Sequence, residues 1–275
     1  LVNLGEVNLN FNANYSYNSS EVLSIYQDLQ ELSIGGYVMA ANQAVVGKPA
    51  FIFNASDYKR DNQGRVIVDR LTGYPIVDEV NKKFGRTMPM HIIGLNPSIS
   101  WKGLTVSALF EYKGGHYAFN MIGNEMAWTG VSEITGINHR ERFVIPNSVY
   151  EDPNKKGTYI ENTNITVSDA QDFFTGDSYR TVASNFITSA ATWRFREFSI
   201  TYDIPNSLIS KQSLIQGISV GVNGRNLALW LPKSNVYSDP DFKDLDSFGG
   251  NIAGISNATV NPPVRTIGGT ISVKF

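Results

Sequence analysis

The sequence predicts an all-β fold: an antiparallel sheet that forms part of a transmembrane β-barrel with long loops at one end. Three observations support this: six segments alternate apolar and polar residues, their connections alternate between long and short, and aromatic residues fall at segment ends. Alternation with a period of two is typical of a strand with one apolar face. A soluble β-sandwich has the same strand pattern, so the connections and the aromatic residues decide between the two folds.

The six segments differ in how clearly they predict a strand. Residues 7–18 carry Asn at most alternate positions, which suits a wet lumen better than the charged outer face of a soluble sheet. Lys102-Gly103 joins two segments as a tight hairpin, but Pro97 lies inside the first of them and cannot donate to the ladder. The alternation loses its phase near residues 224–226, which predicts a bulge. The segments are 7–18, 92–101, 104–113, 194–204, 217–230 and 265–275.

The connections between these segments alternate in length. Residues 21–91, 114–192 and 231–264 form long connections, whereas residues 102–103 and 206–216 form short ones. Outer-membrane barrels show this alternation, because their periplasmic turns are tight and their extracellular loops are extended. Structureless loops of this length are uncommon in compact soluble domains. In this orientation the carboxyl terminus is periplasmic and the long loops are extracellular.

Aromatic residues fall where this orientation requires interfacial girdles, at both ends of the strands. The outer ends carry Tyr15, Tyr17, Tyr112, Trp193 and Trp230, and the inner ends carry Trp101, Tyr202 and Phe275. Their distribution therefore favours a barrel in a bacterial outer membrane over a soluble sandwich.

The composition excludes several classes of function. The 275 residues have a net charge of −2 and only 17% of them are charged, so no basic excess indicates nucleic-acid binding. Cysteine is absent, which excludes disulfides and thiolate metal sites. No apolar run approaches the length of a transmembrane helix. Because the chain opens on Leu1 without an initiator methionine, we expect it to be a piece of a longer protein.

The sequence contains no arrangement of residues that predicts catalysis or a cofactor. His91, His116 and His139 have no partner at a metal-ligand spacing, and the HExxH, GxSxG, Walker A and GxGxxG motifs are absent. We therefore expect a protein that is not an enzyme and that binds no cofactor.

Four carboxylates lie close together in the last long connection. Carboxylate oxygens at this density can bind Ca²⁺, but their spacing does not match an EF-hand, so a solvated acidic loop is the alternative. The candidate ligands are Asp239, Asp241, Asp244 and Asp246.

Aromatic residues in the long loops are candidates for contact with a ligand. Tyr117, Phe119 and Trp128 are placed to stack on a sugar ring, and Phe173 and Phe174 lie in the same connection. The alternative is that the loops pack on these side chains, as large compact loops do.

Six stretches form an ordered set of motifs. They are residues 89–112 with Gly94-Leu95-Asn96, 142–150 (RFVIPNSVY), 193–205 (WRFREFSITYDIP), 224–230 (GRNLALW), 235–242 (NVYSDPDF) and 262–268 (PPVRTIG). Followed by a terminal Phe275, this set closely resembles the carboxyl-terminal part of SusC/RagA-type TonB-dependent outer-membrane transporters. Each motif alone is weak, but the set spans nearly the whole chain.

The resemblance implies a barrel of about 22 strands with a plugged lumen. Residues 1–275 would supply its last six strands, while the plug domain and the amino-terminal strands are absent from this chain. It implies import of glycans or peptides, energised by TonB through the missing amino-terminal part, under a SusD-like surface lipoprotein. The remaining strands, the plug and outer-membrane lipid are the other implied partners. Ile271, Val273 and Phe275 would form the signal for barrel assembly.

Two alternatives to an importer stay open. A SusC-like barrel can act as a scaffold in an envelope complex without transporting anything. A soluble β-sandwich, such as an adhesin or a carbohydrate-binding module, has strands of the same pattern.

Overall fold

The computed structural model describes residues 2–37, 39–209, 214–241, 252–256 and 261–275. The strands are β1 Val2–Leu4, β2 Val7–Tyr17, β3 Glu31–Tyr37, β4 Ala40–Val45, β5 Ile52–Ala55, β6 Val66–Ile67, β7 Lys82–Arg86, β8 His91–Trp101, β9 Leu104–Gly114, β10 Tyr117–Asn120, β11 Ser148–Glu151, β12 Tyr159–Glu161, β13 Ile187–Ser189, β14 Thr192–Asp203, β15 Gly217–Trp230, β16 Ile255–Ser256 and β17 Thr266–Lys274. The α-helices are α1 Met121–Trp128, α2 Ala170–Thr175 and α3 Asp177–Arg180, and single 3₁₀ turns lie at Tyr26–Asp28, Glu133–Thr135, Ala183–Asn185 and Asn206–Leu208. Within the described ranges, no helix has both the length and the apolar character needed to cross a membrane.

An antiparallel sheet of seven strands, here called the wall sheet, dominates the fold. Its order is β1-β2-β8-β9-β14-β15-β17. All six predicted strands are confirmed, with ends within two residues of the predicted bounds. The seventh strand, β1, is too short for its alternation to be visible in the sequence, and it pairs with β2 across a turn at Gly5. The wall sheet is open, because β1 and β17 are its edges and the described strands do not close into a barrel.

The register of the wall sheet aligns apolar side chains in rows across one face. Leu9 pairs with Ile99, Ile99 with Val106, Val106 with Ile200, and Ile200 with Val222. Directly paired residues of antiparallel strands lie on the same face, so this row crosses five strands. Val222 is 58% exposed, and Leu9, Ile99 and Ile200 are exposed as well. The described residues therefore leave this apolar face uncovered.

Aromatic residues form a row of their own at the end where the long connections leave the wall sheet. Tyr15 pairs with Ile93, Ile93 with Tyr112, Tyr112 with Trp193, and Trp193 with Trp230. The row at the opposite end consists of Val7, Trp101, Leu104, Tyr202, Val220 and Ile271. The register confirms the predicted clustering of aromatic residues at the loop end, whereas Trp101 and Tyr202 are the two aromatic residues of the row at the opposite end.

The other face of the wall sheet carries many polar side chains and an exposed ion pair, between Glu197 and Arg225. The hydroxyls of Ser107 and Ser199 are 2.7 Å apart across β9 and β14, and those of Ser100 and Thr105 are 3.0 Å apart across β8 and β9. Cross-strand hydroxyl pairs of this kind stabilise a wet sheet face, as the alternation of the sequence predicts.

The predicted irregularities of the wall strands are present. Lys102 and Gly103 both have positive φ, which fits the right-handed twist of the hairpin that they close. The register of β14 shifts between Phe195 and Glu197, opposite the predicted bulge in β15. Strand β8 runs through Pro97 and pairs with β2 there, but its ladder to β9 is interrupted at Asn96 and Pro97.

The three long connections together form a second layer, here called the loop layer. Its parts are residues 18–90 (the first loop), 115–191 (the second loop) and 231–265 (the third loop). All three leave the same end of the wall sheet, because its strands are antiparallel neighbours. The first loop forms the sheet β3-β4-β5-β7 on its own.

Two small sheets join the loops to each other. Strand β6 of the first loop pairs in parallel with β11 of the second, which also pairs with β12. Strand β10 of the second loop pairs with β13 and, in parallel, with β16 of the third loop. The loop layer is therefore one folded unit, since these two sheets need strands from different loops.

An aromatic cluster forms the core of the loop layer. Phe173 and Phe174 of α2 lie with ring centroids 4.9 Å apart, and Tyr179 of α3 is 5.1 Å from Phe174. Phe186 continues the cluster at 5.5 Å from Tyr179. Phe173 and Phe174 are both buried, as the loop-packing alternative expects.

Candidate functional site

Two features are candidates for a functional site: a cluster of charged side chains and a cavity. The first is an ion cluster, made of Glu111, Lys113, Arg194, Arg196, Asp239 and Asp241, at the junction of the wall sheet and the third loop. The second is a cavity, here called the loop pocket, that lies between α1 and α2.

Strand geometry places the cations of the ion cluster. Arg196 lies at the register shift of β14, two residues after Arg194, and both side chains reach Asp241, so they lie on the same side of the sheet. Glu111 and Lys113 have the same spacing in β9, and Arg194 pairs in register with Glu111. The third loop brings Asp241 to within 3.0 Å of the Lys113 Nζ.

A side-chain turn in the third loop places the carboxylates. The Asn235 Oδ1 accepts hydrogen bonds from the backbone N–H groups of Tyr237 and Ser238, and the Asp239 Oδ1 accepts one from the N–H of Asp241 at 2.9 Å. Asn and Asp favour such turns because their short side chains reach the backbone two or three residues on. The turn directs Asp239 and Asp241 back towards the wall sheet.

The centre of the ion cluster is a buried, forked ion pair. Both terminal nitrogens of Arg194 contact the Asp239 carboxylate, one of them at 2.6 Å. Each side chain is 6% exposed. Arg196 donates to Glu111 at 2.5 Å and also to Asp241, so it bridges the wall sheet and the third loop. Paired and hydrogen-bonded in this way, the buried charges are tolerated, whereas either one alone is costly.

The acidic residues predicted to bind Ca²⁺ fall partly within this cluster. Asp239 and Asp241 are engaged by Arg194, Arg196 and Lys113, so the alternative of a solvated acidic loop is wrong for these two residues. Asp244 and Asp246 lie outside the described residues. Among the described residues, no group of three His, Asp or Glu side chains is arranged to hold a metal ion. A calcium site in the third loop stays a prediction.

Acid is expected to loosen the contact between the third loop and the wall sheet. Burial alone would raise the pKa of Asp241, but Arg194, Arg196 and Lys113 outweigh it and lower this pKa to about 2. Because the ordinary value is 3.8, the stabilisation is complete above about pH 4 and is lost as the pH falls towards 2. Hydrogen exchange of the 235–241 amides, corrected for intrinsic rates, should show a loss of about 2 kcal/mol between pH 5 and pH 2. Asp241→Asn should abolish this dependence, and an unchanged profile would contradict the assignment.

The loop pocket has a volume of about 320 Å³. It opens where α1 ends at Trp128, and its lining combines aromatic, amide and cationic side chains. The lining residues are Ala127, Trp128, Thr129, Gly130, Thr135, Arg140, Ala170, Gln171, Phe174 and Thr175. Trp128 is 48% exposed, and the guanidinium carbon of Arg180 lies 4.8 Å from the centre of its ring.

The structure separates the three loop aromatics that the sequence singles out. Trp128 lines the loop pocket. Tyr117 is exposed but lies elsewhere, with its ring packed closely on the backbone of Gly85. Phe119 has no exposed surface and packs between Tyr37 and Phe186, so it belongs to the core and does not face a ligand.

Arg140 and Gln171 of the loop pocket are absent from the sequence-based predictions. Arg140 lies in a turn after α1, and Gln171 lies in α2, thirty-one positions further on (171 − 140). No short motif connects them, because only the packing of α1 against α2 and α3 brings them to one cavity.

Comparison with known proteins indicates a fold and no closer relationship. No protein-family model and no curated protein matches the chain. Among solved structures, the RagAB peptide transporter matches with a TM-score of 0.62 and 17% identity. The RagAB peptide importer matches in its "closed-closed" state (0.61, 16%) and its "open-open" state (0.60, 15%).

These matches cover all of this chain but only part of the transporter. Each spans 100% of the present chain and 27–28% of the matched chain. The chain therefore has the fold of somewhat more than a quarter of a peptide-transporter chain. At this level of identity the likeness concerns the fold alone.

Proposed function

We propose that the chain is the carboxyl-terminal portion of a SusC/RagA-type, TonB-dependent transporter that imports glycans or peptides across the bacterial outer membrane. The main support is the uncovered apolar face of the wall sheet, which a soluble sandwich would bury against a second sheet. The matched structures are peptide transporters, which favours import over a scaffold role.

The dimensions of the apolar face support a membrane position. From the aromatic row at Tyr112 to the row at Leu104 there are eight residues (112 − 104). At about 3.4 Å per residue this distance is about 27 Å along the strand. A tilt of about 40° reduces it to about 20 Å, which is close to the apolar band of about 25 Å that outer-membrane barrels present to lipid.

The two edges of the wall sheet imply the first partner. Strands β1 and β17 each leave a row of backbone groups unpaired within the wall sheet. In lipid each such group costs several kcal/mol, so both edges require further strands. We assign these to the rest of the barrel, which encloses the plug. Ile271 of β17 and Phe275, which directly follows this strand, have exposed apolar side chains, which suits the proposed assembly signal that they form with Val273.

In the proposed mechanism the loop layer faces the outside and the carboxyl terminus faces the periplasm. Ligand is captured between the loop layer and a SusD-like lipoprotein, and TonB then displaces the plug through the amino-terminal part of the protein. This chain supplies barrel wall, lumen lining and ligand contacts. Among the three loop aromatics, Trp128 is the proposed ligand contact, because its side chain is exposed and lines the loop pocket.

A charge on the apolar face tests the membrane position. Val106→Arg should destabilise the barrel in phospholipid vesicles by about 2–4 kcal/mol, because Val106 lies in the middle row of the apolar face. Ser107→Arg is the matched control, since it places the same charge one residue away on the polar face. Unfolding in denaturant measures both. If both variants lose the same stability, or if the wild-type protein stays in solution without detergent, the membrane position is wrong.

The coding sequence upstream of Leu1 tests the importer against the scaffold. An importer requires a plug domain and a segment that contacts TonB. If the upstream sequence encodes neither, the scaffold function is favoured.

A further inference from the structure

The loop pocket has the donor groups for a specific kind of ligand. Its lining contains one cationic side chain, Arg140, and no carboxylate. Its volume of about 320 Å³ is at the lower end for ligand sites, which suits a single sugar or a single amino-acid residue.

Arg140 has most of its hydrogen-bonding capacity available. Its guanidinium makes one long hydrogen bond, from Nη2 to the Gly130 carbonyl at 3.4 Å. Among the described residues, no carboxylate lies within ion-pair distance of it. By contrast, Arg180 nearby donates to Asn124 and Glu125 while it covers the Trp128 ring. A guanidinium has five N–H donors, so Arg140 can hold a carboxylate in a forked pair.

The backbone holds Arg140 at the pocket in an unusual conformation. His139 and Arg140 have φ of 53° and 61°, in the left-handed region that non-glycine residues seldom occupy. Such a residue costs on the order of 1 kcal/mol and persists only where its surroundings impose it. Arg140 is exposed and lines the cavity from this turn.

The hydroxyl groups of the lining have no hydrogen left to donate to a ligand. Thr129, Thr135 and Thr175 all donate their hydroxyl hydrogens to backbone carbonyls of their own turns. The donors that remain for a ligand are Arg140, the amide of Gln171 and the indole N–H of Trp128. Two of these three are uncharged, and the third is a cation.

We infer that the loop pocket binds a carboxylate attached to a small ring or side chain, with Arg140 pairing with the carboxylate and Trp128 packing against the attached group. The biological meaning of this inference rests on the proposed function. In that function, such a ligand is the acidic end of the imported molecule. A uronic acid of a glycan and the terminal carboxylate of a peptide both supply this chemistry.

The test is equilibrium binding to the purified full-length protein in detergent, followed by tryptophan fluorescence. The probes are two matched pairs: glucuronate against glucose, and N-acetylalanine against its amide. We expect at least one acid to bind and its neutral counterpart to bind at least tenfold more weakly. Glucuronate selectivity identifies an acidic glycan as the source of the carboxylate, and N-acetylalanine selectivity identifies a peptide.

Variants of the pocket separate the role of Arg140 from a general effect of charge. Arg140→Gln should weaken binding of the acid at least tenfold, whereas the exposed Arg70→Gln in the first loop should leave it unchanged. Arg140→Lys retains the charge without the fork and should give an intermediate loss. An unaltered proteolysis pattern shows that each variant is folded. If Arg140→Gln is not folded, Arg140→Lys provides the test instead.

Three results would overturn the inference: neither acid binds, both neutral probes bind as tightly as the acids, or Arg140→Gln binds like the wild type. Binding is measured in detergent and does not depend on uptake. If the pocket binds acids but the protein imports nothing, the proposed function is refuted and the inference about the pocket stands.

Discussion

Asp239→Asn is expected to destabilise the junction between the third loop and the wall sheet by about 3 kcal/mol, because it removes the buried carboxylate that both terminal nitrogens of Arg194 contact and leaves Asp241, already shared with Arg196 and Lys113, as the remaining counter-charge. Both side chains are nearly inaccessible to water, so solvent cannot replace the lost partner. Hydrogen exchange of the 235–241 amides in the intact protein measures the change. We expect the exchange of the β15 amides away from this junction to stay slow.

An exposed ion pair of the same wall sheet provides the control. Arg225 and Glu197 are 3.3 Å apart, with side chains 68% and 51% exposed. Glu197→Gln should cost less than about 1 kcal/mol, since exposed pairs contribute little. A double variant, Arg194→Met with Asp239→Leu, should recover most of the stability lost by Asp239→Asn, because it removes both buried charges. Equal losses for Asp239→Asn and Glu197→Gln would show that the buried pair does not fasten the loop.

Phe186→Ala is expected to destabilise the loop layer by about 3–5 kcal/mol, the usual cost of removing a buried phenylalanine ring. Phe186 has no exposed surface, and its ring lies 6.4 Å from Phe119, 5.5 Å from Tyr179 and 6.2 Å from Tyr237 of the third loop. The substitution thus leaves a cavity where the second and third loops meet. Thermal unfolding followed by tryptophan fluorescence should show a lower midpoint for the loop layer.

The control for this substitution removes an apolar side chain that is not in the core. Val131→Ala lies in the same loop at an exposed position and should change stability by less than about 0.5 kcal/mol. Limited proteolysis should cut the second loop faster in Phe186→Ala and at the wild-type rate in Val131→Ala. If the loops of Phe186→Ala resist protease as the wild type does, the aromatic cluster is not what joins them.

The six long wall strands could be predicted from the sequence because their signal is local. Alternation along residues 217–230 reports which side chains face apolar surroundings, whatever the strand pairs with. The hairpin at Lys102-Gly103 and the bulge in β15 are equally local, since they depend on residues within a few positions. Strand β1 escaped prediction because three residues are too few to show a period.

The loop layer could not be predicted, because its elements depend on partners far away in the chain. Strand β6 is two residues long and exists through its pairing with β11, about eighty positions further on. Phe119 and Trp128 are alike as loop aromatics in the sequence, yet one is buried in the core and the other lines the loop pocket. Local pattern does not encode such choices, since they depend on which loops pack together.

The sequence by itself thus determined the wall strands, their two faces and the aromatic residues at their ends, because period and phase are properties of a single strand. Only the tertiary structure decided that Asp239 and Asp241 pair with arginines of the wall sheet. It alone assembled the loop pocket from Trp128, Arg140 and Gln171. The reason is physical: burial and charge pairing are set by neighbours in space, and a linear pattern does not contain them.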